Sequence, residues 1–316
     1  MAFLRPFTLQ RLDRPTGGRP VPGGSRLVLA ALAGLLALVL AGQGAVAQDP
    51  GAATVSPADF DDAPYDDLAI GAPGEDIGAV ADAGTVTAVY PGSQRPPQTF
   101  RQGAGGVAGA AEAGDRFGTA LAIGLFNDDI FDDLAVGVPG EDVGSAEDAG
   151  AVNVLYGVAG TGLNGNGSQQ FTQPVSAVEA GDQFGSVLAS GDFNNDGFAD
   201  LAVGAPTEDV GNVPDAGAVS VLYGSSAGLS TAGAQTFVQP VSAVEADDQF
   251  GFALAAGDFD GDDFADLGVG APFESVGSTF FAGAVSALYG AGTTGLSTAG
   301  AQTFVQPVSA VEVDDT

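Results

Sequence analysis

The 316-residue sequence predicts an all-β fold in which one small four-stranded sheet is repeated four times along the chain. Three observations carry the prediction. Tyr90, Tyr156, Tyr223 and Tyr289 recur at intervals of 66, 67 and 66 residues, and Leu68, Leu134, Leu201 and Leu267 keep step with them, as do Gly84, Gly150, Gly217 and Gly283. The apolar runs between these markers are of strand length, divided by Gly, Asp, Asn and Pro, and none sustains a 3.6-residue period. Glycine is also abundant, 50 of 316 residues against a usual share of about 7%, which supplies the many turns such an array needs.

The repeat divides the chain into units at about 51–116, 117–183, 184–249 and 250–316, with no linker between them, so the units must pack on one another. The segment GLSTAGAQTFVQPVSAVE occurs word for word at 228–245 and 295–312, a sign of recent duplication. In the third unit the expected strands are FGSVLASGDF (184–193), DLAVGAP (200–206), AGAVSVLYG (216–224) and QTFVQPVSAV (235–244). Four strands in one such unit match one blade of a β-propeller, with the small residues of the second and third strands at crowded positions and the fourth at the outer edge.

Residues 1–47 precede the repeats and read as a signal peptide. A basic stretch leads into the apolar run Leu27 to Gly42, followed by Ala45-Val46-Ala47. The run is short for a membrane span. Cleavage after Ala47 is favoured over retention as an uncleaved anchor, and either route predicts a secreted or cell-surface protein with no membrane insertion once the signal is removed.

Composition narrows the chemistry. Cys, His and Lys are absent, which excludes disulfides, Cys or His metal sites, a Ser-His-Asp triad and a P-loop. The formal charge is −32, and losing residues 1–47 leaves three arginines against 39 acids. Nucleic acid is excluded as a partner because its phosphates need a basic face. Cations are the natural counter-charge.

The acids concentrate in one recurring loop between the first and second strands. In the third unit Asp192, Asn194, Asp196 and Asp200 hold positions 1, 3, 5 and 9, Gly197 turns the chain at 6, and Phe198 at 7 offers its carbonyl. The fourth unit repeats this with Asp258, Asp260, Asp262, Phe264 and Asp266, Asp263 standing in for the glycine. Alternate oxygens on a tight loop suit a hard cation, Ca²⁺ before Mg²⁺, since calcium accepts six to eight oxygen ligands. The loop is not an EF-hand, because position 12 is Val203 or Val269 inside an apolar strand. Two copies are degraded. The second unit keeps Asn127, Asp129 and Asp133 but has Leu125 at position 1, and the first keeps Asp59, Asp61 and Asp67 but has Ala63 at position 5.

With Phe184-Gly185, GDFNNDGFADL and Gly204-Ala205-Pro206 in register, the third unit resembles the FG-GAP repeat of integrin alpha chains. The fourth unit (Phe250-Gly251, Gly270-Ala271-Pro272) matches in full. The second has Val138 for Ala, and the first has Gly51-Ala52 where Phe-Gly belongs. The resemblance implies propeller blades whose acidic loops bind calcium on one face. The family's ring generally has seven repeats, so four imply a partial propeller, open or completed by another chain, rather than a closed four-bladed ring. Open blade edges invite self-association.

The expected function is therefore a calcium-binding adhesion or recognition module for an extracellular protein or glycan. It is not expected to be an enzyme, because every recurrent carboxylate has a loop explanation. The alternatives are a catalytic or non-catalytic part of a secreted hydrolase, whose paired carboxylates would cleave glycosidic bonds, and an acidic structural surface protein.

Overall fold

The structure, a computed structural model, describes residues 26–29, 38–41, 55–62, 65–93 and 95–305. Most of the expected signal peptide, Gly51-Ala52, Ala63 and the segment after Val305 lie outside the described residues. The chain forms two compact units, Met1–Gly44 and Ala45–Thr316. In the first, strands β1 (Arg26–Leu29) and β2 (Leu38–Ala41) pair antiparallel, Arg26 opposite Ala41.

The second unit holds four four-stranded antiparallel sheets, each a blade with its strands in chain order, as in a β-propeller. Blade 1 is β3 (Val55–Ala58), β4 (Asp67–Ala72), β5 (Thr85–Val89) and β6 (Gln98–Phe100). Blade 2 is β7 (Leu121–Gly124), β8 (Asp133–Val138), β9 (Ala151–Val158) and β10 (Gly162–Phe171). Blade 3 is β11 (Val187–Gly191), β12 (Asp200–Ala205), β13 (Ala218–Tyr223) and β14 (Ser230–Phe237). Blade 4 is β15 (Ala253–Gly257), β16 (Asp266–Ala271), β17 (Ala284–Gly290) and β18 (Leu296–Phe304). The first strands of successive blades, β3, β7, β11 and β15, lie next to one another.

Two strand boundaries differ from the sequence reading. The fourth strand of blade 3 is Ser230–Phe237 rather than 235–244, because Pro240 has no N–H for a ladder and Gln239 is drawn off to bond Glu274. The first strand starts at Val187, and Phe184-Gly185 ahead of it does something else. Phe184 N–H donates to Ala149 O of the preceding blade (3.0 Å), while Gly185 N–H donates to Gly204 O of its own (3.1 Å). The dipeptide is thus a joint between blades, and its Phe ring is fully buried. Phe117 and Phe250 repeat the arrangement against Ala83 and Ala216.

The glycines of the motif follow from this joint. A Cβ on Gly150, which sits at φ +87, would lie 2.2 Å from Phe184 O, and one on Gly204 would lie 2.3 Å from Gly251 O. Only glycine lets the backbones approach that closely. Apolar burial follows the same plan, with one core between blades 1 and 2, a second between 2 and 3, and a third between 3 and 4. The periodic tyrosines close each junction at its outer side. Tyr90 Oη accepts from Leu163 N (2.9 Å), Tyr156 Oη from Leu229 N (3.2 Å) and Tyr223 Oη from Leu296 N (3.3 Å), each in the next blade. Each hydroxyl also donates to a glutamine of its own blade, Gln98, Gln169 or Gln235. Burial pushes the three phenols up to about 12, so they remain donors at any physiological pH.

Candidate metal centres

The acidic loops sit at one end of each blade, between its first and second strands, and the aspartate at position 9 anchors them. Asp200 begins β12 and is fully buried. Its Oδ2 accepts Phe193 N (2.9 Å) and its Oδ1 accepts Gly224 N (2.9 Å), which ties the start of the loop to the end of β13. Asp133 holds Phe126 N and Gly157 N in the same way (3.0 Å each), and Asp266 holds Phe259 N (2.7 Å) and Gly290 N (2.8 Å). This clamp is a role the sequence reading did not give these residues. Burial raises Asp200 to about 7 and Asp133 to about 8, with the donated N–H groups pulling the other way and neighbouring carboxylates adding to the rise.

In the third unit the remaining oxygens face the loop's own backbone. Asp192 accepts Asp196 N (3.0 Å) and Gly197 N (2.9 Å), Asn194 Oδ1 accepts Asp196 N (3.0 Å), and Asp196 Oδ1 accepts Phe198 N (2.9 Å). Alternate side chains of one tight loop are thereby turned to its inside. In the fourth unit Asp258 accepts Gly261 N (2.6 Å), which with its other backbone donors lowers its pKa, and Asp262 accepts Phe264 N (3.0 Å). Asp258, Asp260 and Asp262 bring one carboxylate oxygen each within 4.8 Å of one another. Asp263 sits at φ 72, so it adopts the left-handed turn expected of the missing glycine.

The degraded loops diverge. In the second unit Asn127 and Asp129 form the same turn by accepting Asp129 N (2.8 Å) and Phe131 N (2.9 Å), while Leu125 brings no side-chain oxygen and its carbonyl takes Ala199 N of blade 3. The first unit gathers Asp59, Asp61 and Asp67 within 4.8 Å of one another. Here Pro91 stands where Gly157, Gly224 and Gly290 donate in the other blades, and a proline has no N–H. Asp67 Oδ1 is therefore buried with no hydrogen bond from a described residue, and burial lifts the carboxyl to about 6. Arg95, stacked 5.0 Å from the Tyr90 ring centroid, brings a cation to within 3.5 Å of Asp61. Part of the charge of this cluster is thus met by the chain itself. An oxygen-only set of this kind fits a hard cation, and the residues that would hold it are those of the four loops.

A second set of carboxylates lies near the opposite ends of the strands, at the blade junctions. Gln173 donates to Glu208 and Gln239 to Glu274, while Asp182 and Asp248 accept Glu179 N and Glu245 N (2.7 and 2.8 Å). Burial, with Glu208 or Glu274 alongside, pushes both aspartates up to about 7. Glu141-Asp142 and Glu208-Asp209 recur in register along the sequence, and Glu141 and Glu208 each accept a glutamine of the neighbouring blade at these junctions.

Residues 184–222 and 250–288 each match the FG-GAP repeat. The chain carries FG-GAP repeats. Among curated proteins it is 35% identical over 161 residues to phosphatidylinositol-glycan-specific phospholipase D of Rattus norvegicus, a match covering 50% of this chain and 19% of that protein. It is 34% identical over 168 residues to integrin alpha-3 of Cricetulus griseus (50% and 14%) and 35% identical over 165 residues to integrin alpha-PS5 of Drosophila melanogaster (51% and 15%). The chain thus spans about a fifth or less of the length of these relatives.

Proposed function

We propose that this FG-GAP array is a calcium-stabilised, integrin-alpha-like binding module that works outside the cell, in adhesion or recognition of an extracellular protein or glycan. The observation that carries the reading is the pair of complete oxygen loops, Asp192 to Asp200 and Asp258 to Asp266, each set on a rigid clamp at the same point of consecutive blades. Calcium bound there would cross-link residues of one loop and offset part of the acidic charge. The exported location rests on the signal-like N-terminus and on the integrin relatives, and among the described residues no helix is long and apolar enough to cross a membrane.

Scanning calorimetry with calcium and with chelator tests the metal, since a ligand that binds only the folded state adds about 2.7 kcal/mol per site at a hundred times its Kd. An unchanged melting temperature would refute calcium binding. Arrays of matrix proteins and glycans, probed with and without calcium, test recognition, and an absence of any calcium-dependent binder would count against it. A second reading comes from the phospholipase D relatives: the array serves as a non-catalytic part of a secreted hydrolase. Activity on glycoside and phospholipid panels would instead make this chain catalytic.

A further inference from the structure

Between blades 2 and 3, and again between blades 3 and 4, two carboxyl groups are buried against each other with no base at hand. Asp182 lies against Glu208, and Asp248 against Glu274. The two aspartates are 1% exposed and the two glutamates 5%. Glu179 adds negative charge beside the first pair and Glu245 beside the second, while the chain has no lysine and no arginine after Arg116. Two bare anions are costly in so dry a place, so each pair takes up a proton or a cation.

A buried amide favours the cation. Gln173 and Gln239, 7% and 6% exposed, donate their Nε2 to Glu208 and Glu274, and the Oε1 of each is buried with no hydrogen bond from a described residue. The amide is planar, so a nitrogen that bonds the glutamate keeps its own carbonyl oxygen beside the same carboxylate. One proton between the carboxyls serves one acceptor and leaves that oxygen unmet, whereas a cation takes both carboxylates and the amide oxygen at once. Ser176 adds a hydroxyl against Glu208, and Ser242 a buried hydroxyl at the same place in the next repeat. The junction of blades 1 and 2 is a partial version. Gln102 and Asp115 leave buried oxygens there too, but Gln102 and Gln170 occupy both oxygens of Glu141 (2.6 and 2.9 Å), and the chain after Gln102 runs Gly-Ala-Gly with no serine.

We propose that Gln173, Ser176, Asp182 and Glu208, and again Gln239, Ser242, Asp248 and Glu274, form a second class of cation site, one at each of these two blade junctions, for a hard divalent ion of the calcium type. Its oxygens come from both sides of a junction: Gln173 and Ser176 follow β10 of blade 2, and Glu208 follows β12 of blade 3. An ion held there joins neighbouring blades, while one in an acidic loop holds a single turn at the other end of the strands. Binding also expels the proton that burial keeps on Asp182 and Asp248, both pushed up to about 7, so affinity rises with pH through neutrality.

The test counts calcium bound to the full chain by equilibrium dialysis at about pH 8. Asp182→Asn and Asp248→Asn keep the acceptor for Glu179 N and Glu245 N while removing the charge, and each should lower the count by about one ion per chain, both together by about two. Asp196→Asn with Asp262→Asn strips a ligand from each complete acidic loop, and the junction ions should persist in that chain. Calcium added to it at about pH 6.5 should release protons, and the release should fall once Asp182→Asn and Asp248→Asn are added. In chelator at about pH 8 the junction variants should melt no lower than wild type, so that a lost ion is not a lost fold. A count that Asp182→Asn and Asp248→Asn leave unchanged overturns the proposal and assigns the pairs a proton alone, whatever the loops bind. A count that falls only because both variants melt well below wild type overturns it as well.

Discussion

Phe193 and Phe259 offer a controlled measurement of what a neighbouring blade contributes. Both occupy position 2 of the acidic loop, both follow Gly-Asp, and both donate their N–H to the clamp aspartate seven residues on. They differ in cover. Phe193 is 0% exposed beneath blade 4, where Ala265 N bonds Asp192 O, whereas Phe259 is 52% exposed. Truncating a fully buried phenylalanine removes its transfer free energy and leaves a cavity, together about 3–5 kcal/mol. Phe193→Ala should cost that much. With half its surface already in water and no wall to leave a cavity against, Phe259→Ala should cost about 1–2 kcal/mol. Urea unfolding of the two variants, in chelator and at low protein concentration, gives the comparison directly, with the slope checked so that a change of midpoint reads as stability. Because the two loops are near-identical, any effect of the loop itself appears in both. Equal losses would refute the reasoning, since the loop and not the junction would then be the source of the stability.

Three further outcomes follow from the junctions and clamps. Tyr156→Phe deprives buried Leu229 N of its acceptor and should destabilise by about 1–3 kcal/mol, with no pH dependence below about pH 10, as chemical denaturation at pH 6 and 9 will show. Asp182 has a folded pKa of about 7, above its unfolded value of 3.8, so its contribution is fully present below about pH 4 and is lost as pH rises through 7; wild-type melting temperature in chelator should fall between about pH 5 and pH 8, and Asp182→Asn should flatten that fall. Pro91→Gly restores the N–H that Asp67 Oδ1 lacks, and at about pH 8 should stabilise blade 1 in chelator by up to about 1 kcal/mol after the entropy of the added glycine is subtracted, measured by the urea midpoint.

Much of the fold was legible because its markers are tied to single physical tasks. Tyr90, Tyr156 and Tyr223 recur at intervals of 66 and 67 residues because each latches the next blade, and Gly150 or Gly217 recurs because a Phe-Gly backbone crosses it at a distance that no Cβ allows. The acidic loops were legible from the alternation of their oxygens. The end of the fourth strand was not, since VQPVSAV is apolar enough for a strand and only the pull of Glu274 on Gln239 shows that it has left the sheet. The clamp was also hidden, because position 9 reads as a metal ligand whether or not its oxygens already hold Phe193 N and Gly224 N.

The two degraded loops separate what the clamp does from what a cation would do. Blade 2 lacks a side-chain oxygen at position 1, yet Asp133 is buried with both carboxylate oxygens bonded, and its second strand is as completely covered as that of blade 3. Blade 2 therefore forms with its clamp and Phe-Gly joint complete but without a full ligand set. Blade 1 shows the converse. Its clamp keeps the bond from Phe60 N to Asp67 Oδ2 (2.8 Å) but loses the second at Pro91, and there Asp67 itself joins Asp59 and Asp61 within 4.8 Å, with Arg95 drawn toward Asp61. The carboxylate oxygen that loses its clamp bond is left for a positive charge from outside the sheet. On this logic a cation bound as proposed would order the loops of blades 3 and 4 without being needed to build them, and a chelator should loosen the acidic end of the array while the Phe117, Phe184 and Phe250 joints stay closed. Hydrogen exchange in chelator would show this as faster exchange confined to residues 192–198 and 258–264, and uniform loss of protection across the joints would show instead that metal and fold are one unit.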